Sequence, residues 1–110
     1  MAYEEDLAER IRSVLGDRPG LTEKKMFGGL AFLIGGNMAV AASGQGGILV
    51  RVDPEESDEL VASTPARPME MRGRSMAGWL HVRTADVTED SALAKWVELG
   101  IAYAGSLPPK

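Results

Sequence analysis

The stretch Lys25–Val52, KMFGGLAFLIGGNMAVAASGQGGILVRV, decides the fold. It holds three apolar runs, each short enough for a β-strand: Leu30–Ile34, Met38–Ala42 and Ile48–Val52. The segments between the runs, Gly35–Asn37 and Ser43–Gly47, are rich in glycine, which adopts the positive φ angles that tight hairpins need. The stretch therefore predicts a three-stranded antiparallel meander.

The two faces of this meander differ in the size of their side chains. Because successive side chains of a strand point to opposite faces, the large ones fall together on one face. These are Leu30, Phe32, Ile34, Met38, Val40, Ala42, Ile48, Val50 and Val52. The other face carries mostly small residues, namely Ala31, Leu33, Ala39, Ala41, Ser43, Leu49 and Arg51. We expect helices over the large face, whereas the small face is too poor in charge for an ordinary solvated surface.

Helices are predicted on both sides of the meander. Apolar residues at helical spacing and an acidic first turn favour a helix over Tyr3–Leu15. Asp53, as an N-cap before proline, starts a second helix over Pro54–Ala62. Thr88 is the expected cap of a third helix, which Gly105 and Pro108 end.

One further strand is predicted between the second and third helices. In Gly78–Arg83, Leu80 and Val82 point one way while Trp79, His81 and Arg83 point the other. The short segment Glu23–Phe27 is at most an extended lead into the meander. The fold class is therefore α+β, with an antiparallel sheet of the meander plus one or two further strands, and helices at the N-terminus, middle and C-terminus.

Composition limits the class of protein. At 110 residues the chain is expected to form a single domain, residues 1–110. Cysteine is absent, which excludes disulfides and thiolate chemistry. The N-terminus is acidic and no apolar run approaches the roughly 20 residues that span a bilayer, so we expect a cytoplasmic protein without membrane contact. A net charge of −4 and a pI near 5.0 disfavour nucleic acid as a partner.

A set of short motifs resembles the N-terminal domain of the TfoX/Sxy family. They are Met26-Phe27-Gly28-Gly29, then Phe32, Gly36 and Met38, then Arg51-Val52-Asp53, and finally Gly78-Trp79. The resemblance covers nearly the whole chain. It implies a small α+β fold similar to type III secretion chaperones, often seen as dimers, in a family linked to regulation of bacterial competence genes. It implies no catalytic residues.

The full-length regulators of that family append a second, helical domain, whereas this chain ends at Lys110. We therefore expect a stand-alone copy of the N-terminal domain. Whether such a copy takes part in competence or transcription is not implied by the resemblance.

The motifs that suggest chemistry have structural explanations. Gly44–Gly47 is followed by a strand, whereas a phosphate loop opens a helix whose amides face the anion. His81 is the only histidine, and a lone imidazole does not make a metal site without gathered carboxylates. The sequence therefore predicts no catalytic residue, no cofactor and no metal, and hence no enzyme.

Basic and aromatic residues in loops and strand ends form the expected binding surface. They are Lys24, Lys25, Arg51, Arg72, Arg74, Trp79, His81 and Arg83, with Arg67 as a further basic residue nearby in sequence. Scattered solvated charges are the simpler explanation of the basic residues.

Three functions follow from these observations. The first is a non-enzymatic regulatory or protein-interaction module with an unknown protein partner. The second is a nucleic-acid-associated transcriptional accessory protein, which requires the basic residues to converge on one patch. The third is a small-molecule binder or minor enzyme, with His81, Arg83 and Arg51 as its first candidate residues.

The small face of the meander also predicts self-association. Its small residues allow another layer to approach closely, and an uncharged patch left open on a monomer would be unusual. Two copies that meet at this face, or edge to edge across an unpaired strand, would cover it. We therefore expect a homodimer.

Overall fold

The computed structural model describes residues 4–16, 18–26, 28–44, 46–71 and 73–108. These residues form three α-helices, one 3₁₀ turn and six strands. In chain order they are α1 (Glu5–Leu15), β1 (Leu21–Met26), β2 (Gly29–Ile34), β3 (Asn37–Ala42), β4 (Ile48–Arg51), α2 (Ser57–Ser63), β5 (Arg67–Met71), β6 (Arg74–Val82), the 3₁₀ turn (Thr84–Val87) and α3 (Asp90–Ser106). The α+β class is confirmed.

The predicted meander is present as β2, β3 and β4, each antiparallel to the next. Both connecting turns use left-handed glycines, with φ of +59° and +84° at Gly35 and Gly36 and of +90° and +74° at Gly46 and Gly47. An L side chain is strained at such angles, so these glycines favour the hairpins over any continuous alternative.

The remaining strands extend the sheet on both sides, in the order β1-β2-β3-β4-β6-β5. The expected strand Gly78–Arg83 is the second half of the longer β6, which pairs with β4 and forms a hairpin with β5. The expected extended lead is β1, a full edge strand paired along β2. In the described part of the chain the sheet thus has six strands, where the sequence predicted four or five.

The hydrophobic core lies between one face of the sheet and the helices. Phe32, Val40, Val50 and Leu80 are at most 1% exposed on that face. They form one cluster with the apolar stripes of α1 and α3, and Leu60 and Val61 of α2 pack against the same cluster. The prediction that helices cover the face with the large side chains is confirmed.

A register shift corrects the predicted face of Met38. Phe32 pairs with Val40, but the next pair is Leu33 with Met38, so Ala39 is an extra residue in β3. Because paired residues share a face, Met38 lies on the side of Leu33 and not in the core. Ile34, also expected in the core, is only half-buried.

The bulge at Ala39 lies against α3. A Cβ on Gly100 would come within 2.4 Å of the Ala39 carbonyl oxygen. Helix and strand backbones are therefore in direct contact here, which is possible because Gly100 has no side chain. The bulged backbone of β3 lies directly beneath the middle of α3.

Two helix boundaries differ from the sequence prediction. Residues 54–56 form a turn, in which Asp53 Oδ1 accepts a hydrogen bond from Glu55 N at 2.9 Å, and α2 begins only at Ser57. Glu89 occupies the N-cap position of α3 without a side-chain bond, so the expected cap at Thr88 is wrong. The same helix passes through Gly105 and ends at Ser106.

Candidate interaction surface

The sheet face opposite the helices brings together several of the residues expected to bind a partner. One row of directly paired residues crosses all six described strands. It runs Lys24, Ala31, Ala41, Leu49, His81 and Arg67. Arg51 and Trp79 are paired beside this row, and Leu33 and Met38 are paired further along β2 and β3. We call these ten residues the open face.

Burial shows that the described elements cover this face only in part. Ala31 and Ala41 are 0% and 5% exposed and form its floor, but neither belongs to the core cluster. Leu33, Leu49 and Trp79 stay only half-buried, although core residues of the same strands are fully buried. The open face is therefore a small-residue floor surrounded by larger, partly exposed side chains.

Arg51 is held against two aromatic rings. Its guanidinium carbon lies 5.2 Å from the centroid of the Trp79 ring and 5.8 Å from that of Tyr103. Both distances are within the range of cation–π attraction. Tyr103 belongs to α3, so the last helix helps to position a side chain of the open face. No sequence motif pointed to Tyr103, although it follows the buried Trp96 at a seven-residue helical spacing.

His81 is tied to the β3–β4 loop. Its Nε2 donates to the Gly46 carbonyl oxygen at 2.8 Å, which assigns the proton to that nitrogen. This contact to the backbone orients the imidazole ring.

Glu4 also bonds to the β3–β4 loop, at the end of the sheet where His81 contacts it. Its Oε2 accepts hydrogen bonds from Gly47 N at 3.1 Å and from Thr84 Oγ1 at 2.5 Å. These two donors stabilise the carboxylate, so the pKa of Glu4 lies below its usual value, with the Thr84 bond as the larger cause. The contact joins the start of α1 to the β3–β4 loop and to the 3₁₀ turn. Sequence analysis gave no signal for it, because Glu4 and Thr84 are 80 residues apart.

Three arginines on the helix side of the sheet are paired with acids. Arg12 bonds Glu23 at 2.9 Å and also Glu9. In the other ion pairs of the helical layer, Arg10 meets Asp90 at 3.2 Å and Arg18 meets Glu98. Glu23 has a lowered pKa because Arg12 donates to it.

Cations on the open face have no such partners. Lys24, Arg51 and Arg67 form no ion pair among the residues that the structure describes. None of the described carboxylate side chains belongs to an open-face position of a strand. The charged residues of the open face are therefore all basic, whereas the described helix side carries both acids and bases.

The other expected binding residues lie elsewhere. Lys25 pairs with Leu30 and so has the opposite orientation to Lys24. Arg83 follows β6 and bonds Asp86 at 3.2 Å. Arg74 begins β6 opposite Met71, and Arg72 lies outside the described residues. The expected surface is thus divided, with Lys24, Arg51, Trp79 and His81 together on the open face.

Membrane-spanning helices and metal-binding clusters are both absent from the residues that the structure describes. No helix in that part of the chain has the length and apolar character needed to cross a membrane. Within the same residues, no three His, Asp or Glu side chains are placed to hold a metal ion.

Comparison with known proteins gives one match. The family model for the TfoX N-terminal domain matches residues 13–104. No curated relative and no solved structure matches the chain.

Proposed function

The chain belongs to the TfoX N-terminal domain family, and we propose that it is a non-enzymatic regulatory module that acts by binding another protein through the open face. The observation that carries this proposal is the burial contrast between the two faces of one sheet. Val50 and Leu80 are at most 1% exposed beneath the helices, whereas Leu49 and Trp79 on the other side are half-buried. A sheet face with this much apolar surface usually packs against another layer.

The edges of the sheet support a face contact over strand addition. The β1 edge carries Glu23, Lys24 and Lys25, and the β5 edge contains Pro68, which has no backbone donor. Charged residues and proline on an edge strand oppose pairing with a further strand. The open face is then the surface that remains for an apolar contact. The proposal includes the expected cytoplasmic location and the expected absence of a cofactor.

Homodimer formation is the second candidate function of the same face. The floor residues Ala31 and Ala41 favour it, because short side chains let two sheets approach closely. Sedimentation velocity of the wild type across micromolar concentrations tests it. A dimer that becomes monomeric in Leu49→Glu supports this candidate, and a monomer at all concentrations contradicts it.

The main proposal is tested by the selective loss of a bound protein. Leu49→Glu places a charge at the centre of the open face, while Lys95→Glu changes an exposed residue of α3 and serves as the control. We expect affinity purification to retain the same partner with wild type and Lys95→Glu and to lose it with Leu49→Glu. Retention of every partner by a folded Leu49→Glu variant contradicts the proposal.

A further inference from the structure

We propose that the protein bound at the open face presents an acidic amphipathic helix. This inference rests on the proposed function, because it names the chemistry of the partner at the same surface. Its basis is the charge pattern of Lys24, Arg51 and Arg67, the three cations of that face that have no ion pair in the described part of the chain.

The arrangement of these charges indicates where the bound segment of the partner needs acidic residues. Lys24 lies on the edge strand β1 and Arg67 on the opposite edge strand β5, with Ala31, Ala41 and Leu49 between them in the paired row. Five strand spacings of about 4.8 Å separate the two edges by roughly 24 Å. The complement is a segment with an apolar centre and acidic groups near both ends.

A helix fits this description better than an extended segment. Both sheet edges oppose strand addition, so the segment must lie on the face, where an extended chain would leave its backbone groups unpaired. A helix satisfies its own backbone, and about 16 residues at 1.5 Å each span the same 24 Å. The molecule's own α3 already packs on the other face of this sheet in this way, with Leu93, Trp96 and Val97 buried in the core.

Charge also disfavours the two alternative occupants. A second copy would place the same unpaired cations against each other, because a two-fold contact uses one patch on both molecules. Single-stranded nucleic acid needs free aromatic rings for base stacking, but the Trp79 ring already faces the Arg51 guanidinium at 5.2 Å. The centre of the face, formed by Ala41 and Leu49, offers apolar contact without further charge.

A pair of peptides tests the inference. The probe is a fluorescein-labelled, stapled 18-residue helix with a leucine stripe and glutamate at the remaining positions, and its match has lysine in place of every glutamate. We expect the wild-type protein to bind the glutamate helix at least tenfold more tightly in fluorescence anisotropy. The advantage should shrink several-fold between 50 and 300 mM NaCl, because salt screens exposed charges.

Charge reversal tests whether Lys24 and Arg67 are responsible for binding the glutamate helix. The double variant Lys24→Glu and Arg67→Glu should lose at least tenfold in affinity for the glutamate helix and gain affinity for the lysine helix. Lys25→Glu with Lys95→Glu changes the net charge equally, at exposed positions outside the open face, and should leave both affinities within about twofold. All four residues are exposed, and circular dichroism checks that each variant folds.

The inference is overturned by equal binding of both helices or by binding of neither. Tighter binding of an 18-residue oligo(dT), or a dimer that Leu49→Glu dissociates, overturns it as well. The experiments distinguish failure of the inference from failure of the proposed function. If Leu49→Glu loses its partner while the Lys24 and Arg67 reversals keep it, the open face binds protein without acidic recognition, and only the inference falls.

Discussion

Substitution of Gly100 by alanine tests how closely α3 packs on the sheet. A Cβ at this position would lie 2.4 Å from the Ala39 carbonyl oxygen and 3.3 Å from Val50 Cγ1. An ordinary contact needs about 3.5 Å, so helix and strand must separate by roughly 1 Å. The nearest atom, the Ala39 carbonyl oxygen, belongs to the backbone and cannot relieve the clash by a change of rotamer.

Two opposing effects set the magnitude. Alanine is favoured over glycine inside a helix by about 1 kcal/mol. Overpacking against a rigid neighbour costs about 1–3 kcal/mol, and a backbone clash belongs at the upper end of that range. We therefore expect Gly100→Ala to lower the free energy of unfolding by about 2 kcal/mol and the melting temperature by about 8 °C.

The same helix provides the matched control. Gly105 is also helical, but a Cβ there would meet nothing within 4 Å. Gly105→Ala should therefore leave stability unchanged or raise it by up to about 1 kcal/mol. Urea titration followed by circular dichroism measures both variants. If Gly100→Ala is as stable as Gly105→Ala, α3 does not pack directly on the backbone of β3.

Two further predictions concern the end of the sheet near Glu4. The pKa of Glu4 is lowered in the folded state, so its contribution to stability is present above its unfolded value near pH 4.5 and is lost as the pH falls through the folded value. Glu4→Gln should cost up to about 1 kcal/mol at pH 7 after solvent screening and almost nothing at pH 3, as measured by urea unfolding; an equal cost at both pH values would contradict this. Gly47→Ala should destabilise by more than Gly46→Ala in the same assay, since both have positive φ but only a Cβ at Gly47 lies 2.4 Å from the Val82 carbonyl oxygen. Equal losses would show that the backbone angle alone decides the effect.

The hairpins and the core face follow from local sequence. Gly35, Gly36, Gly46 and Gly47 adopt the backbone angles that their positions suggested, and alternation placed Phe32, Val40 and Val50 in the core correctly. These features depend on neighbours within a few residues. The local sequence pattern is sufficient to predict features that are determined by neighbouring residues.

The bulge and the edge strands have causes that are distant in the sequence. Met38 leaves the core because of a register shift at Ala39, where Gly100 brings the backbone of α3 close. Leu21–Met26 has little apolar periodicity and becomes a strand by pairing with β2. Neither partner is visible from the segment itself, so propensity and period could not predict these features.

The positive charge of the open face also depends on residues that are distant in the sequence, so it could not be predicted from the sequence. The net charge of −4 sums acids and bases over the whole chain, and this sum disfavoured anionic partners. The fold, however, places acids such as Glu9, Glu23 and Glu98 in ion pairs on the helical side, while Lys24 and Arg67 remain unpaired on the other. Each of these acids lies beside an arginine that offsets part of its charge. An approaching acidic helix would first meet the local cations of the open face. The charge-reversal pair is decisive because Lys24 and Lys25 are adjacent in the sequence but have opposite orientations in β1.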